Sequence, residues 1–233
     1  MGPVPRSPRN AVVWAVLDAE LDRRGPAHVV DAGGGTGGFA VPLAQAGHTV
    51  TVVDPSPDAL AALARRAAER GVSDRITAHQ GDADDLPGLL EPGTADVVLC
   101  HSVLEVVDDP GRTLAAVAGA LKPGGCASIL VANRVAAVLA RALAGHFGAA
   151  RDSLDGELDP RRYDLEAVSA LISKAGLVPE RAHGVRVLAD LVPGAVADVE
   201  PGAAEALTAL ELAMAERPPY RDIATQLHVL ARR

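Results

Sequence analysis

The sequence predicts an α/β fold: a seven-stranded, mostly parallel sheet with helices on both faces. Three observations carry this. Short β-branched runs alternate with longer amphipathic stretches along most of the chain, and that alternation requires crossover connections between parallel strands. A glycine-rich turn separates the first such run from the next amphipathic stretch, at the end of a strand where open α/β sheets take ligands. The 233 residues are 48% hydrophobic but only 2% aromatic, so a large core is expected and must be built from Ala, Val and Leu. The chain reads as a single domain over 1–233, with an N-terminal helix over 10–24 and an insertion around 133–163.

The elements follow in order. Val12, Val13, Val16, Leu17 and Leu21 recur at helical spacing, and Gly25-Pro26 ends that helix. Residues 28–31 form the first strand and 39–47 a helix. Residues 48–54 alternate and are β-branched, which predicts the second strand. The helix over 55–71 stops at a C-terminal glycine. Residues 75–79 and 95–100 give the third and fourth strands. The helix over 111–121 is closed by Lys122-Pro123-Gly124-Gly125, and 126–131 is the fifth strand. The stretch 133–160 is the least regular, a helix and loop over the sheet edge. A helix over 164–175 ends at Gly176. Residues 177–188 and 222–231 form a final strand pair, with a helix over 203–216 between them.

Charge and composition exclude several classes. The formal net charge is −8, which weighs against free nucleic acid as a partner without excluding a local basic face. Cys100 and Cys126 lie in apolar runs and are expected as buried thiols in a reducing compartment, which places the protein in the cytoplasm. Residues 1–10 carry three prolines and two arginines and no apolar core, unlike a signal peptide. The longest apolar stretch, 126–145, is broken by Asn133, Arg134 and Arg141, so no membrane span is expected. The histidines are scattered without ligand spacing, so no metal site is expected. Gly-x-Ser-x-Gly is absent.

The first chemical signal is Val29-Val30-Asp31-Ala32-Gly33-Gly34-Gly35-Thr36-Gly37-Gly38. Glycine lets the backbone turn sharply and come close to a ligand, and the start of a following helix offers unpaired N–H groups. Gly33, Gly35 and Gly38 meet the dinucleotide spacing. Asp31, Gly33, Gly35 and Gly37 meet the spacing used for S-adenosylmethionine (SAM). A glycine-rich turn also occurs with no ligand. The second signal is Asp54, which ends Val50-Thr51-Val52-Val53. A carboxylate there can accept from both hydroxyls of a ribose, or cap the next helix. It suits NAD and SAM equally.

Further segments resemble class I SAM-dependent methyltransferases, which have a Rossmann-like fold. Gly81-Asp82-Ala83-Asp84-Asp85-Leu86-Pro87 is similar to the segment whose carboxylate accepts from the adenine amino group and whose next backbone N–H reaches a ring nitrogen. Asp82 and Ala83 are the matching residues. By composition alone the segment is a solvated acidic loop. Residues 95–105, ending His101-Ser102-Val103-Leu104-Glu105, and Leu121-Lys122-Pro123-Gly124-Gly125 resemble the same class. By itself His101 also reads as a packing histidine.

Nearly the whole chain resembles the bacterial tRNA 5-carboxymethoxyuridine methyltransferase family. The resemblance runs through Arg9-Asn10-Ala11-Val12-Val13-Trp14, residues 31–37, Gly71-Val72-Ser73-Asp74, and 101–105. It continues in Gly184-Val185-Arg186-Val187 and Glu216-Arg217-Pro218-Pro219-Tyr220. It implies SAM as the cofactor, bound by Arg9, Gly33, Gly34, Asp54, Asp82, Ala83 and His101, with Asp31 and Gly35 completing the glycine turn. A guanidinium at Arg9 can grip the SAM carboxylate as a fork. The implied acceptor is the carboxylate of a tRNA wobble 5-carboxymethoxyuridine, and 133–163 would lie on the substrate side. Residues 149–159 are acidic where the resemblance implies lysines. That segment repels phosphates, and Arg161-Arg162 partly restores positive charge.

Methyl transfer from a sulfonium is an in-line displacement that needs alignment in a dry site. A carboxylate acceptor is already ionised at neutral pH and requires no general base. An Arg or Tyr would hold it, and Arg186, Tyr220, Asn133 and Arg134 are the candidates. Each also reads as a surface or partly buried polar residue. Three other functions compete: a small-molecule methyltransferase without tRNA binding, an NAD-dependent oxidoreductase on the same glycine turn, and a non-catalytic SAM-binding protein. The 81–87 and 122–125 segments count against the oxidoreductase.

Overall fold

A computed structural model describes residues 7–154, 161–192 and 201–233. Most of the acidic run expected to oppose phosphate, 155–159, lies outside the described residues. The strands are β1 (His28–Ala32), β2 (Thr49–Asp54), β3 (Ile76–Gln80), β4 (Ala95–His101), β5 (Leu121–Ala132), β6 (Val178–Val185) and β7 (Gln226–Arg232). They form one seven-stranded sheet in the order β3-β2-β1-β4-β5-β7-β6. The pairs β3–β2, β2–β1, β1–β4 and β4–β5 are parallel, as the alternation predicts. After β1 the chain builds outward to β2 and β3, then returns to place β4 on the other side of β1. That reversal opens a crevice at the carboxyl ends of β1 and β4.

The chain groups into two compact units. One comprises residues 21–130, 169–181 and 229–233. Its helices include α2 (Ala40–Gln45), α3 (Pro57–Glu69), α4 (Leu86–Leu89) and α5 (Pro110–Ala120). Val29, Val30, Val52, Val53, Val97, Val98 and Leu99 are fully buried on its central strands. Each such side chain contributes about 1.5–3 kcal/mol, so small aliphatic residues build the core without aromatics. Ser56 starts α3 by accepting from the Ala59 N–H at 3.2 Å, with Pro57 in the first turn. The short helix α4 carries no periodic signal in the sequence.

Among the described residues, the other unit comprises 7–20, 131–154, 161–168, 182–192 and 201–228. The helix α1 (Ala11–Asp22) contributes most of its length here, with α6 (Arg134–Leu143), α7 (Phe147–Asp152) and α9 (Ala203–Met214). The helix α8 is Leu165–Lys174. The stretch expected as one helix and a loop thus contains two helices, divided near Gly145, which takes a φ of +80°.

Two element boundaries differ from the sequence expectation. Lys122-Pro123-Gly124-Gly125 belongs to β5 and does not form a turn closing α5. It bulges out of the ladder between the pairs Ala95–Leu121 and Val97–Cys126, with Gly124 at a φ of +76°, and Arg233 pins it: the Gly124 N–H donates to the Arg233 carbonyl at 3.1 Å, and the Arg233 N–H to the Gly125 carbonyl at 3.0 Å. The Arg233 guanidinium also donates to the Leu121 carbonyl. The last two strands are shorter than expected. β6 stops at Val185 because Arg186 adopts a left-handed φ of +60°. The next three N–H groups, of Val187, Leu188 and Ala189, then turn onto the carboxylate of Glu211 at 2.9, 2.7 and 2.7 Å.

Candidate cofactor and acceptor residues

The glycine turn follows β1 directly. The Gly33 N–H donates to the Val53 carbonyl at 2.7 Å, which ties the turn to β2. A Cβ at Gly33, where φ is +76°, would lie 2.6 Å from the Val103 side chain. A Cβ at Gly34 would lie 2.6 Å from the carboxyl of Asp31 and 2.9 Å from Val52. The second glycine is therefore laid against the Asp31 side chain, and no larger residue fits there. The helix α2 begins only at Ala40, and the N–H groups of Gly33, Gly35 and Gly37 are taken up within the protein by the Val53 carbonyl, the Asp54 carboxylate and the Gly34 carbonyl.

Asp54 ends β2 with 9% of its surface exposed. One carboxylate oxygen accepts from the Gly35 N–H at 2.8 Å and the other from the Ser56 N–H at 2.9 Å. Each oxygen retains a second lone pair. The carboxylate is thus oriented in advance and can accept two further hydrogen bonds, the pair a ribose diol offers. The turn after β3 brings up the next acid. The Asp82 N–H donates to the Asp85 carboxylate at 3.0 Å. Asp82 is exposed, while Ala83 beside it is buried. Carboxylate oxygens of Asp82, Asp84 and Asp85 lie within 4.8 Å of one another, and Arg112 pairs with Asp84 at 3.2 Å.

Asp31 is 3% exposed, and its Oδ2 has no hydrogen-bond partner. Burial, and then the nearby Asp54 carboxylate, push the Asp31 carboxyl up to about 7. The neighbouring strand carries Cys100, whose thiol burial raises to about 12, with Glu105 and Asp31 adding to the effect. His101 ends β4. Burial pulls its imidazole down to about 3, so it is neutral at physiological pH. Its Nε2 lies 2.8 Å from the Ser128 hydroxyl, and its ring meets Phe39 edge-on with centroids 4.7 Å apart. These residues leave a crevice lined by oriented acids, a neutral imidazole and bare backbone. It suits a nucleoside bearing positive charge, as SAM does, and the buried unpartnered oxygen of Asp31 points the same way.

The remaining candidates lie in the other unit. Arg9 pairs with Asp190 at 3.2 Å. Arg186 reaches the same Asp190 at 4.0 Å, and its Nε donates to the Arg9 carbonyl at 3.4 Å. Two arginines expected in separate roles thus share one acid. Arg134 pairs with Asp164. Tyr220 is 46% exposed. Asn133 is fully buried, and its side chain makes three local bonds. Its Nδ2 donates to the carbonyls of Asp222 at 2.9 Å and Ala224 at 2.7 Å, and its Oδ1 accepts from the Val135 N–H at 3.0 Å.

Sequence reasoning missed Ser56, Phe39, Ser128, Asp190 and Glu211. Only Glu211 leaves a signal: a lone acid inside the apolar run Leu207-Thr208-Ala209-Leu210-Glu211-Leu212-Ala213. Ser56 also sits in a local helix-start pattern before Pro57, while Phe39 and Ser128 matter through His101, distant in sequence.

Comparison with known proteins agrees with this geometry. The methyltransferase domain family matches residues 30–129. Among solved structures, an S-adenosylmethionine-dependent methyltransferase from Mesorhizobium loti superposes with a TM-score of 0.62 at 21% identity, covering 95% of this chain and 98% of that one. A 1,6-didemethyltoxoflavin-N1-methyltransferase from Burkholderia thailandensis, solved with S-adenosylhomocysteine, superposes with a TM-score of 0.58 at 20% identity, covering 97% and 77%. The fold and its glycine turn are those of a SAM-dependent methyltransferase, and SAM is the cofactor. The tRNA 5-carboxymethoxyuridine methyltransferase of Escherichia coli (strain K12) is 31% identical over 232 residues, covering 97% of this chain and 88% of that protein. The chain belongs to that family.

Proposed function

We propose that the chain transfers the SAM methyl group to a carboxylate, with the wobble 5-carboxymethoxyuridine of tRNA as acceptor. One observation carries the acceptor: likeness to the tRNA 5-carboxymethoxyuridine methyltransferase covers 97% of the chain, far beyond residues 30–129, where the general domain match ends. The added length includes Arg9, Asn133, Arg134, Arg186 and Tyr220.

SAM supplies an electrophilic methyl on a sulfonium. Asp54 accepts from the ribose, and Asp82 with the Ala83 N–H recognises the adenine. Gly33, Gly34 and Gly35 let the backbone approach, and Arg9 takes the amino-acid carboxylate. His101, neutral and fixed by Ser128 and Phe39, gives a rigid wall and no competing charge. An acceptor carboxylate is ionised at neutral pH, so orientation is what the site must provide. Arg186 and Tyr220 hold it. Arg134, held by Asp164, and Asn133, at the start of α6, set the segment that flanks it. Two buried thiols favour a reducing compartment such as the cytoplasm. Among the described residues no helix is long and apolar enough to cross a membrane.

The direct test is incubation with SAM and tRNA bearing 5-carboxymethoxyuridine, followed by nucleoside mass analysis. Gain of one methyl on that nucleoside supports the reading, and an unchanged nucleoside with intact SAM binding refutes it. The net charge of −8 favours a second reading, a small-molecule methyltransferase. Under the tRNA reading, affinity for tRNA falls steeply with added salt. Under the second, no tRNA binds even at low salt.

A further inference from the structure

Asp31 lies at the carboxyl end of β1, beneath the second glycine of the turn. Its Oδ2 is buried without a partner, and the Gly34 backbone packs against its carboxyl. Asp54 on β2 acts on it directly, and the Cys100 thiol on β4 feels its charge; Glu105, beyond β4, acts on that same thiol. Cys100 and His101 are neutral, and Asp54 opposes a charge on Asp31. Burial and Asp54 therefore favour the protonated carboxyl, which sits at about 7 in the resting protein. A cation brought into the crevice changes this, because an opposite charge within a few ångströms favours the ionised carboxyl. SAM carries two positive centres, a sulfonium and an ammonium.

We propose that SAM enters this crevice with loss of the proton from Asp31, so that donor binding releases one proton and strengthens as pH rises toward neutrality. The inference rests on the placement of SAM described above. The step is an acid dissociation: the Asp31 O–H bond breaks, its electron pair stays on the carboxylate, and the proton leaves to solvent. Because the Asp31 carboxyl sits at about 7 before binding, donor affinity should drop about fivefold from pH 7 to pH 6. Within that window the donor's own α-amino group stays protonated.

Isothermal titration of the full chain with SAM at pH 6, in buffers of different ionisation enthalpy, counts the protons. Nearly one proton released per SAM bound is expected, with none for uncharged adenosine and none for Asp31→Asn. S-adenosylhomocysteine keeps the ammonium but lacks the sulfonium. Release with it assigns the linkage to the ammonium, and its absence assigns it to the sulfonium; either outcome sustains the proposal once SAM itself shows release. Should Asp31→Asn not fold, infrared difference spectra of the unmodified protein take its place, with loss of a protonated-carboxyl band on adding SAM as the expected result. SAM binding without proton release, an unchanged band, or equal release in Asp31→Asn overturns the proposal and leaves the cofactor site standing. No SAM binding at all would instead remove the site and the proposal together.

Discussion

Asp54 and Asp31 stand on adjacent strands, yet their oxygens are satisfied differently. Asp54 has a backbone N–H on each oxygen, while Asp31 has an oxygen with none. Replacing Asp54 with Ala removes an oriented acceptor of two charge-assisted bonds, and SAM affinity by titration should fall about a hundredfold. Asp31 bears on stability. Its carboxyl binds a proton more tightly in the fold, up to about 7, than the ordinary 3.8 of an unfolded chain. Its penalty is therefore absent below pH 4, grows as pH rises from about 4 to about 7, and persists above. Asp31→Asn should remove this loss and raise the melting temperature of the cofactor-free protein at pH 8 more than at pH 4. His101, held down to about 3, should show no titration between pH 5 and 8 when followed by NMR. The glycine spacing and Asp54 stand out as local patterns beside strand ends, whereas His101 stands out only through the family resemblance. The raised pKa of Asp31 leaves no such pattern, since it arises from burial and from an acid that β1–β2 pairing brings alongside.

At the scale of elements, two side chains hold segments that propensity alone leaves undecided. Asn133 caps α6 and also ties it to the carbonyls of residues 222 and 224. Asn133→Ala loses a helix cap and strands buried carbonyls, and should cost about 3 kcal/mol in urea denaturation. Glu211 gathers three consecutive N–H groups just past Arg186. Glu211→Ala leaves those donors with no acceptor and should destabilise by about 3 kcal/mol or more. Apart from the short α4, strand and helix positions through residue 120 followed from periodicity and glycine stops. Two later boundaries did not: 186–189 continue an apolar β-branched run but bend to reach a carboxylate 22 or more residues away. Lys122-Pro123-Gly124-Gly125 has turn composition but stays within β5 as a bulge pinned by Arg233.

For the molecule as a whole, Cys100 and Cys126 sit fully buried on adjacent strands β4 and β5. The Cys100 thiol is held at about 12, so it offers almost no thiolate to an alkylating reagent. Both thiols should resist iodoacetamide in the native protein and react once denaturant unfolds it. Strands β6 and β7 each contribute residues to both compact units.

β7 is the last strand in sequence but sits inside the sheet, between β5 and β6. Residues 178–185 are made some forty positions before the neighbour that will hold them. A nascent chain must keep that edge unclaimed until residues 226–232 clear the ribosome, and unpaired strand edges are where stray association begins. A premature stop just before Gln226 would therefore cost the fold two strands for the loss of one.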